Sequence, residues 1–154
     1  MPPRAETGHP HINQITTGYF HERKGYYCWR THGTNDWLTT YTVGGHGRYG
    51  FASGGEFFTD PGDVVMIRPA TLHDYGVEPT LQRWDVMWAH FHPRATWHEW
   101  LDWPEEAPGL MCLKLRDPSI RKRVRRTPSC AATSRSAQRR SPESSRSPAT
   151  RVRT

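Results

Sequence analysis

Nine histidines are the residues of this 154-residue chain that most invite chemistry, and metal binding is the first chemistry to test. A metal-binding jelly roll needs two His one residue apart, then an acid, then another His on a neighbouring strand, so that side chains on one face converge. The place for the first group is GGHGRYGFASGGE, which offers His46 alone. His90 and His92 are two apart and share a face, but His92 sits at a strand end, directly before Pro93. Neither arrangement meets the need, and no metal or other cofactor is expected. Nucleophilic catalysis fares no better. There is no GxSxG, no reactive-cysteine context and no phosphate-cradling glycine loop. Glu99 and Asp102 lie three apart, as on the solvated face of a short helix. The residues do not point to an enzyme.

Small-molecule binding suits the residues better. Trp84 and Trp88 alternate onto one strand face and present flat rings that pack against the C–H side of a sugar or similar amphipathic ligand. Arg30, beside Trp29, can supply a forked donor. A barrel mouth with apolar walls and a few aimed polar groups is the usual setting for such a set.

The elements that must position these groups read as β-structure. WLTTYTVGGHGRYGF alternates and is broken at Gly44, Gly45 and Gly47, which predicts a hairpin. GGEFFTDPGD is a short strand followed by a Pro-Gly-Asp turn. VVMIRP is a β-branched run of buried-strand length, stopped by Pro69. In LQRWDVMWAHFHP, Trp84, Val86, Trp88 and His90 face one way and Asp85, Met87, Ala89 and Phe91 the other. PRATWHEWLDWP alone reads as helix, with Trp97, Trp100 and Leu101 at i, i+3, i+4 and Pro104 as its stop. LMCLKLR is a last strand. Short strands between Gly and Pro turns predict a mainly β fold of the jelly-roll barrel kind with one short Trp-rich helix.

Composition divides the chain near residue 118. All seven Trp, six Tyr and five Phe lie in residues 1–103. Residues 1–115 carry nine Lys and Arg against thirteen Asp and Glu, whereas residues 116–154 carry twelve against two. The net charge of +6 therefore describes the tail, and the body is mildly acidic. The Arg/Ser/Pro-rich stretch 119–154 holds too little apolar surface to offset its ordering entropy and is expected to be disordered. No run of membrane-spanning length and no secretory leader is visible, so a cytoplasmic location is expected. Cys28, Cys112 and Cys130 form no CxxC and no disulfide framework.

TNDWLTTYTVGGHGRYGF, EFFTDPGDVVMIRPATLHDYG and above all RWDVMWAHFHPRATWHEWLDWP resemble the N-terminal sensor domain of AraC-type transcription regulators, the arabinose-binding and dimerisation domain with a cupin fold. The likeness covers residues 12–116. It implies that Arg30 matches a sugar-contacting arginine, Tyr75 a pocket-lining tyrosine and Trp88 the tryptophan on which the sugar ring stacks. Thr17 would match a pocket threonine. Val86 stands where the arabinose-specific member has a ligand-contacting histidine, and losing a polar contact in a buried site changes which ligand is tolerated. Trp84 joins this set as a second ring on the Trp88 face, while His73 reads as a structural histidine at the end of a buried strand. The resemblance implies a small-molecule effector, a sugar or related polar metabolite. The alternative is a stand-alone cupin enzyme of isomerase or dioxygenase type.

The resemblance also implies an organisation: an N-terminal arm over residues 1–16, a ligand-sensing domain over 17–118, and the tail. Family members continue into dimerising helices and a helix-turn-helix DNA-binding domain. DPSIRKRV reads as the start of that helical segment, but no apolar register follows Val124. The composition of 119–154 is that of GC-rich coding sequence read out of frame. On this reading the chain as given binds no DNA sequence-specifically, and its dimerisation is lost or weakened.

Overall fold

A computed structural model describes residues 15–77, 80 and 82–126. Ten strands form two antiparallel sheets, confirming the mainly β expectation. The larger sheet has the order β1 (Thr16–Arg23), β8 (Arg83–Phe91), β3 (Trp37–Gly45), β6 (Asp63–Ile67), β10 (Leu110–Lys114), β9 (Glu105–Ala107). The smaller has β2 (Tyr27–Arg30), β7 (His73–Val77), β4 (Gly47–Gly50), β5 (Glu56–Thr59). From β1 to β8 the chain changes sheet at every connection except β4 to β5. Its Gly and Pro turns are therefore mostly corners between sheets.

One of those corners corrects the hairpin expected at Gly44–Gly47. β3 and β4 do not pair, because β3 lies between β8 and β6 while β4 lies between β7 and β5. Gly45 takes φ +65, and a Cβ there would meet the Arg83 carbonyl oxygen at 2.0 Å. A Cβ on Gly47 would meet the Trp84 indole at 2.5 Å. The glycines let the backbone wrap tightly around Trp84 as it passes between sheets. β4 instead forms a hairpin with the next strand, β5.

The main core lies between the sheets. Leu38, Val65, Ile67, Trp84, Val86, Leu110 and Cys112 come from the larger sheet, and Tyr49, Tyr75 and Val77 from the smaller. A second cluster, Trp37, Met66 and Met111, lies on the outer face of the larger sheet under Phe91, Leu101 and Trp103. With both faces covered, β6 and β10 read as continuous apolar runs, not alternating ones.

The cover over this second cluster includes a 3-10 helix, Ala95–Leu101, where the spacing suggested an α-helix. Trp97 packs against Phe91 at 6.5 Å and Leu101 joins the second cluster, but Trp100 is 70% exposed. The short segment follows the sheet surface and needs no full apolar stripe. Residues 119–126 fall in the stretch expected to be disordered, although DPSIRKRV also reads as the start of a helical segment, and the second reading holds. Pro118–Arg126 form helix α1, anchored where Arg125 donates to the Val43 carbonyl at 3.2 Å and Leu115 N–H to the Gly62 carbonyl at 3.2 Å. Arg116 adds an ion pair to the buried Asp63 at 3.5 Å. The first part of the tail thus draws order from the barrel. Residues 1–14, most of the expected arm, and 127–154 lie outside the described residues. No described helix is long and apolar enough to cross a membrane.

Candidate functional site

Strand pairing decides which side chains meet between the sheets, since directly opposed residues share a face. On β8, Trp84, Val86, Trp88 and His90 point inward, opposite Gly45, Thr42, Thr40 and Leu38 of β3. On β7, His73 and Tyr75 point inward, opposite Arg30 and Cys28 of β2. Arg30, Tyr75, Trp84, Val86 and Trp88 are therefore brought to one interior.

Thr17 is not brought there. It pairs with Ala89, on the outer face of β8, and is exposed. Its neighbour Gly18 takes the inward position opposite Trp88, and a Cβ on Gly18 would lie 2.4 Å from the indole. Phe20, two residues on, also faces inward and meets Trp88 with ring centroids 5.4 Å apart. β1 thus contributes a gap and a ring to the interior, and the threonine on that face is Thr16, opposite His90 at the exposed strand end, not Thr17.

Two of the inward residues are occupied by the core. Trp84 is 1% exposed, donates its indole N–H to Thr42 Oγ1 at 3.1 Å, and packs edge-on against Tyr49 and Tyr75. Thr42 passes the bond on to Thr59 Oγ1 at 2.9 Å, which accepts from the Gly47 N–H at 3.2 Å. Val86 is buried among the same side chains. Both form the floor beneath the site.

At the end of the interior nearest the β2–β3 loop lies a polar group. An Arg30 Nη1 donor lies 3.4 Å from His73 Nδ1, and His90 Nδ1 lies 2.9 Å from Asp36 Oδ1. Trp88 meets His90 edge-on at 5.6 Å, and His73 meets Tyr75 at 5.7 Å. His73 is fully buried. Burial, reinforced first by the Arg30 guanidinium and then by the nearby His90, lowers its pKa to about 4, so the ring is neutral at neutral pH. Burial alone would raise the Asp36 carboxyl, but hydrogen bonds from Thr34 and His90 bring it below the ordinary range. Burial and the adjacent Cys28 raise the Tyr75 phenol, which keeps its proton.

Two inward N–H positions are not engaged. Trp88 Nε1 and His73 Nε2 are buried and have no hydrogen-bond partner among the described residues. A buried polar group without a partner is costly, and a ligand that engages it recovers that cost. A hollow of about 360 Å³ lies nearby, lined by Thr31, Phe51, Thr71, Leu72, Pro108 and Leu110 among others; Arg30, His73, Tyr75, Trp88 and His90 are not among its lining residues. Thr31 and Leu72 adjoin Arg30 and His73 in the chain.

His73 and His90 are the site residues that sequence reasoning did not assign. The signal for His90 was its place on the Trp88 face. His73 reads in the sequence as a structural histidine; its place two residues before Tyr75 puts it on that face, but its contact with Arg30, 43 residues away, is not legible there. No group of three or more His, Cys, Asp or Glu among the described residues is placed to hold a metal ion.

A two-sheet β-barrel with polar side chains converging at one end of an aromatic interior defines a small-molecule-binding module of the cupin type. The chain belongs to the AraC-like ligand binding domain family, whose model matches residues 15–147. It is 47% identical over 51 residues to the arabinose operon regulatory protein of Escherichia coli strain K12, covering 33% of this chain and 18% of that protein. The same-named protein of Salmonella typhimurium strain LT2 is 36% identical over 72 residues, covering 47% and 25%. The chain thus matches a quarter or less of the length of these relatives. The fold is similar to that of ToxT from Vibrio cholerae, with TM-score 0.52 at 8% identity over 73% of this chain and 46% of that one. Its apo K231A form gives TM-score 0.53 at 7% identity with the same coverage.

Proposed function

We propose that this barrel is the effector-sensing domain of a transcription regulator, working in the cytoplasm by binding and not by catalysis. The effector is a sugar or a related small polar metabolite. It lies against the Trp88 ring, with Arg30 and Tyr75 at its polar edge and His73 and His90 beside them. The observation that carries the reading is the convergence of Arg30, His73, Tyr75 and Trp88 on one interior, with two buried N–H positions left to an incoming ligand. The similarity to two arabinose operon regulatory proteins supports a sugar as the class. Val86, an aliphatic residue on the Trp88 face, supplies no hydrogen bond and favours a ligand with an apolar edge at that point.

A thermal-shift screen against pentoses, hexoses and sugar acids tests the reading, because a ligand that binds only the folded chain raises its apparent stability by mass action. A hit should also change the tryptophan fluorescence, and Trp88→Ala should abolish both responses. A hit that survives Trp88→Ala unchanged would place the ligand elsewhere.

A further inference from the structure

Among the described residues, the charges at the polar end of the interior do not balance. Most arginines of the described chain with defined side-chain contacts meet acids: Arg48 pairs with Asp74 and Glu56, Arg68 with Glu105, and Arg83 with Asp85. Arg30 is half-buried on an inward-facing position, yet its polar contact among the described residues is the neutral ring of His73. Asp36, the acid at this end, is engaged by His90. A partly desolvated guanidinium without a counter-charge is costly, and a complementary anion removes that cost.

The hydrogen-bond inventory points the same way. A guanidinium only donates, so His73 Nδ1 must accept from it. The neutral ring then carries its proton on Nε2, the buried atom without a partner. Trp88 Nε1 only donates as well. The unengaged groups are therefore N–H donors: the remaining arms of Arg30, His73 Nε2–H and Trp88 Nε1–H. They call for an acceptor-rich group bearing negative charge. Among the described residues at this end, Arg30 is the positive charge with no acid set against it, which suits a monoanion better than a phosphate dianion. A carboxylate, planar with two acceptor oxygens, also matches the guanidinium fork.

Resting on the sensor reading above, we propose that the effector carries a carboxylate, held by Arg30 with His73 Nε2–H as the second donor, so that a sugar acid is preferred over the neutral sugar. His73 is on this account a specificity-determining residue.

The test uses the full chain and calorimetric titration with two matched pairs, D-galactose with D-galacturonate and L-arabinose with L-arabinonate, plus D-galactose 6-phosphate. In at least one pair the acid should bind about tenfold or more tighter than its neutral partner, as a charge-assisted fork contact requires. Arg30→Gln should erase that advantage and His73→Phe should reduce it. Arg30→Lys, which keeps the charge but not the fork, should retain part of it. Neutral sugars binding as tightly as their acids would overturn the carboxylate inference and leave the sensor reading standing. Tighter binding of the phosphate would overturn it too, as would an acid preference that persists in Arg30→Gln. No binding by any of the five probes would overturn this inference and the sugar class together.

Discussion

Protonation of His73 should make the barrel acid-labile in a defined pH window. The ordinary imidazole pKa of 6.5 is lowered to about 4 in the folded chain, first by burial and then by Arg30 and His90. Between those two values the unfolded chain binds a proton that the folded chain excludes, so stability rises with pH across the window. Above pH 6.5 neither state is protonated and the residue exacts no penalty. At about 1.4 kcal/mol per unit, the lowering from 6.5 to about 4 gives a limiting penalty of about 3 kcal/mol below pH 4. At pH 5 the unfolded ring is almost fully charged and the folded ring is not, and the penalty is about 2 kcal/mol relative to pH 7.5. The perturbation is His73→Gln, which cannot titrate. Urea denaturation followed by tryptophan fluorescence, at pH 7.5 and 5.0, gives the loss of stability for each protein. Other groups, such as Asp36 below its ordinary range and Glu22 raised by burial, titrate in both proteins and largely cancel in the difference. The parent should lose about 2 kcal/mol more than the variant on acidification. Equal losses would show that the folded ring accepts its proton at an ordinary pH, and the account of a neutral buried His73 would fail. An NMR titration of the ring in the unsubstituted chain reads the same quantity even if the variant folds poorly.

Three further outcomes follow from the geometry. Gly18→Val places a Cβ 2.4 Å from the present position of the Trp88 indole, so the ring must move; overpacking should cost about 1–3 kcal/mol in urea denaturation and abolish the effector response in a thermal-shift assay. Thr42→Val removes the acceptor of the buried Trp84 N–H and a link to Thr59; a loss of about 1–3 kcal/mol in urea midpoint stability is expected, and no loss would mean that the indole has another partner. Thr17→Ala changes an exposed side chain on the outer face and should alter stability by less than about 0.5 kcal/mol. Its ligand titration should match the parent, and weakened binding would show that β1 is shifted by one residue from the register described.

Much of the site was legible because it lies within single strands. A period of two places Trp84, Val86, Trp88 and His90 together from the order of residues alone, and β8 keeps that arrangement. The short strands, their Gly and Pro breaks and the β-branched run before Pro69 likewise follow from local chemistry. The extent of the apolar runs in β6 and β10 hinted at coverage on both faces, though not at what supplies it.

What depended on distant partners was not legible. Glycines at 44, 45 and 47 signal a tight change of direction in either a hairpin or a corner, and only the pairing of β3 with β8 and β4 with β7 decides between them. Thr17 and Gly18 differ by one position. A one-residue shift between β1 and β8 reverses every facing, so their roles rest on a register set by residues some 70 positions away.

The sequence by itself determined that the chain makes a β-barrel with an aromatic inner face, because side-chain alternation and turn residues act over a few bonds. The tertiary structure alone decided that Arg30 lies against His73, that His73 is buried and neutral, and that Trp84 is floor while Trp88 keeps its N–H to offer. Those properties arise from desolvation and from charges brought close by folding, and neither exists until the two sheets close on each other.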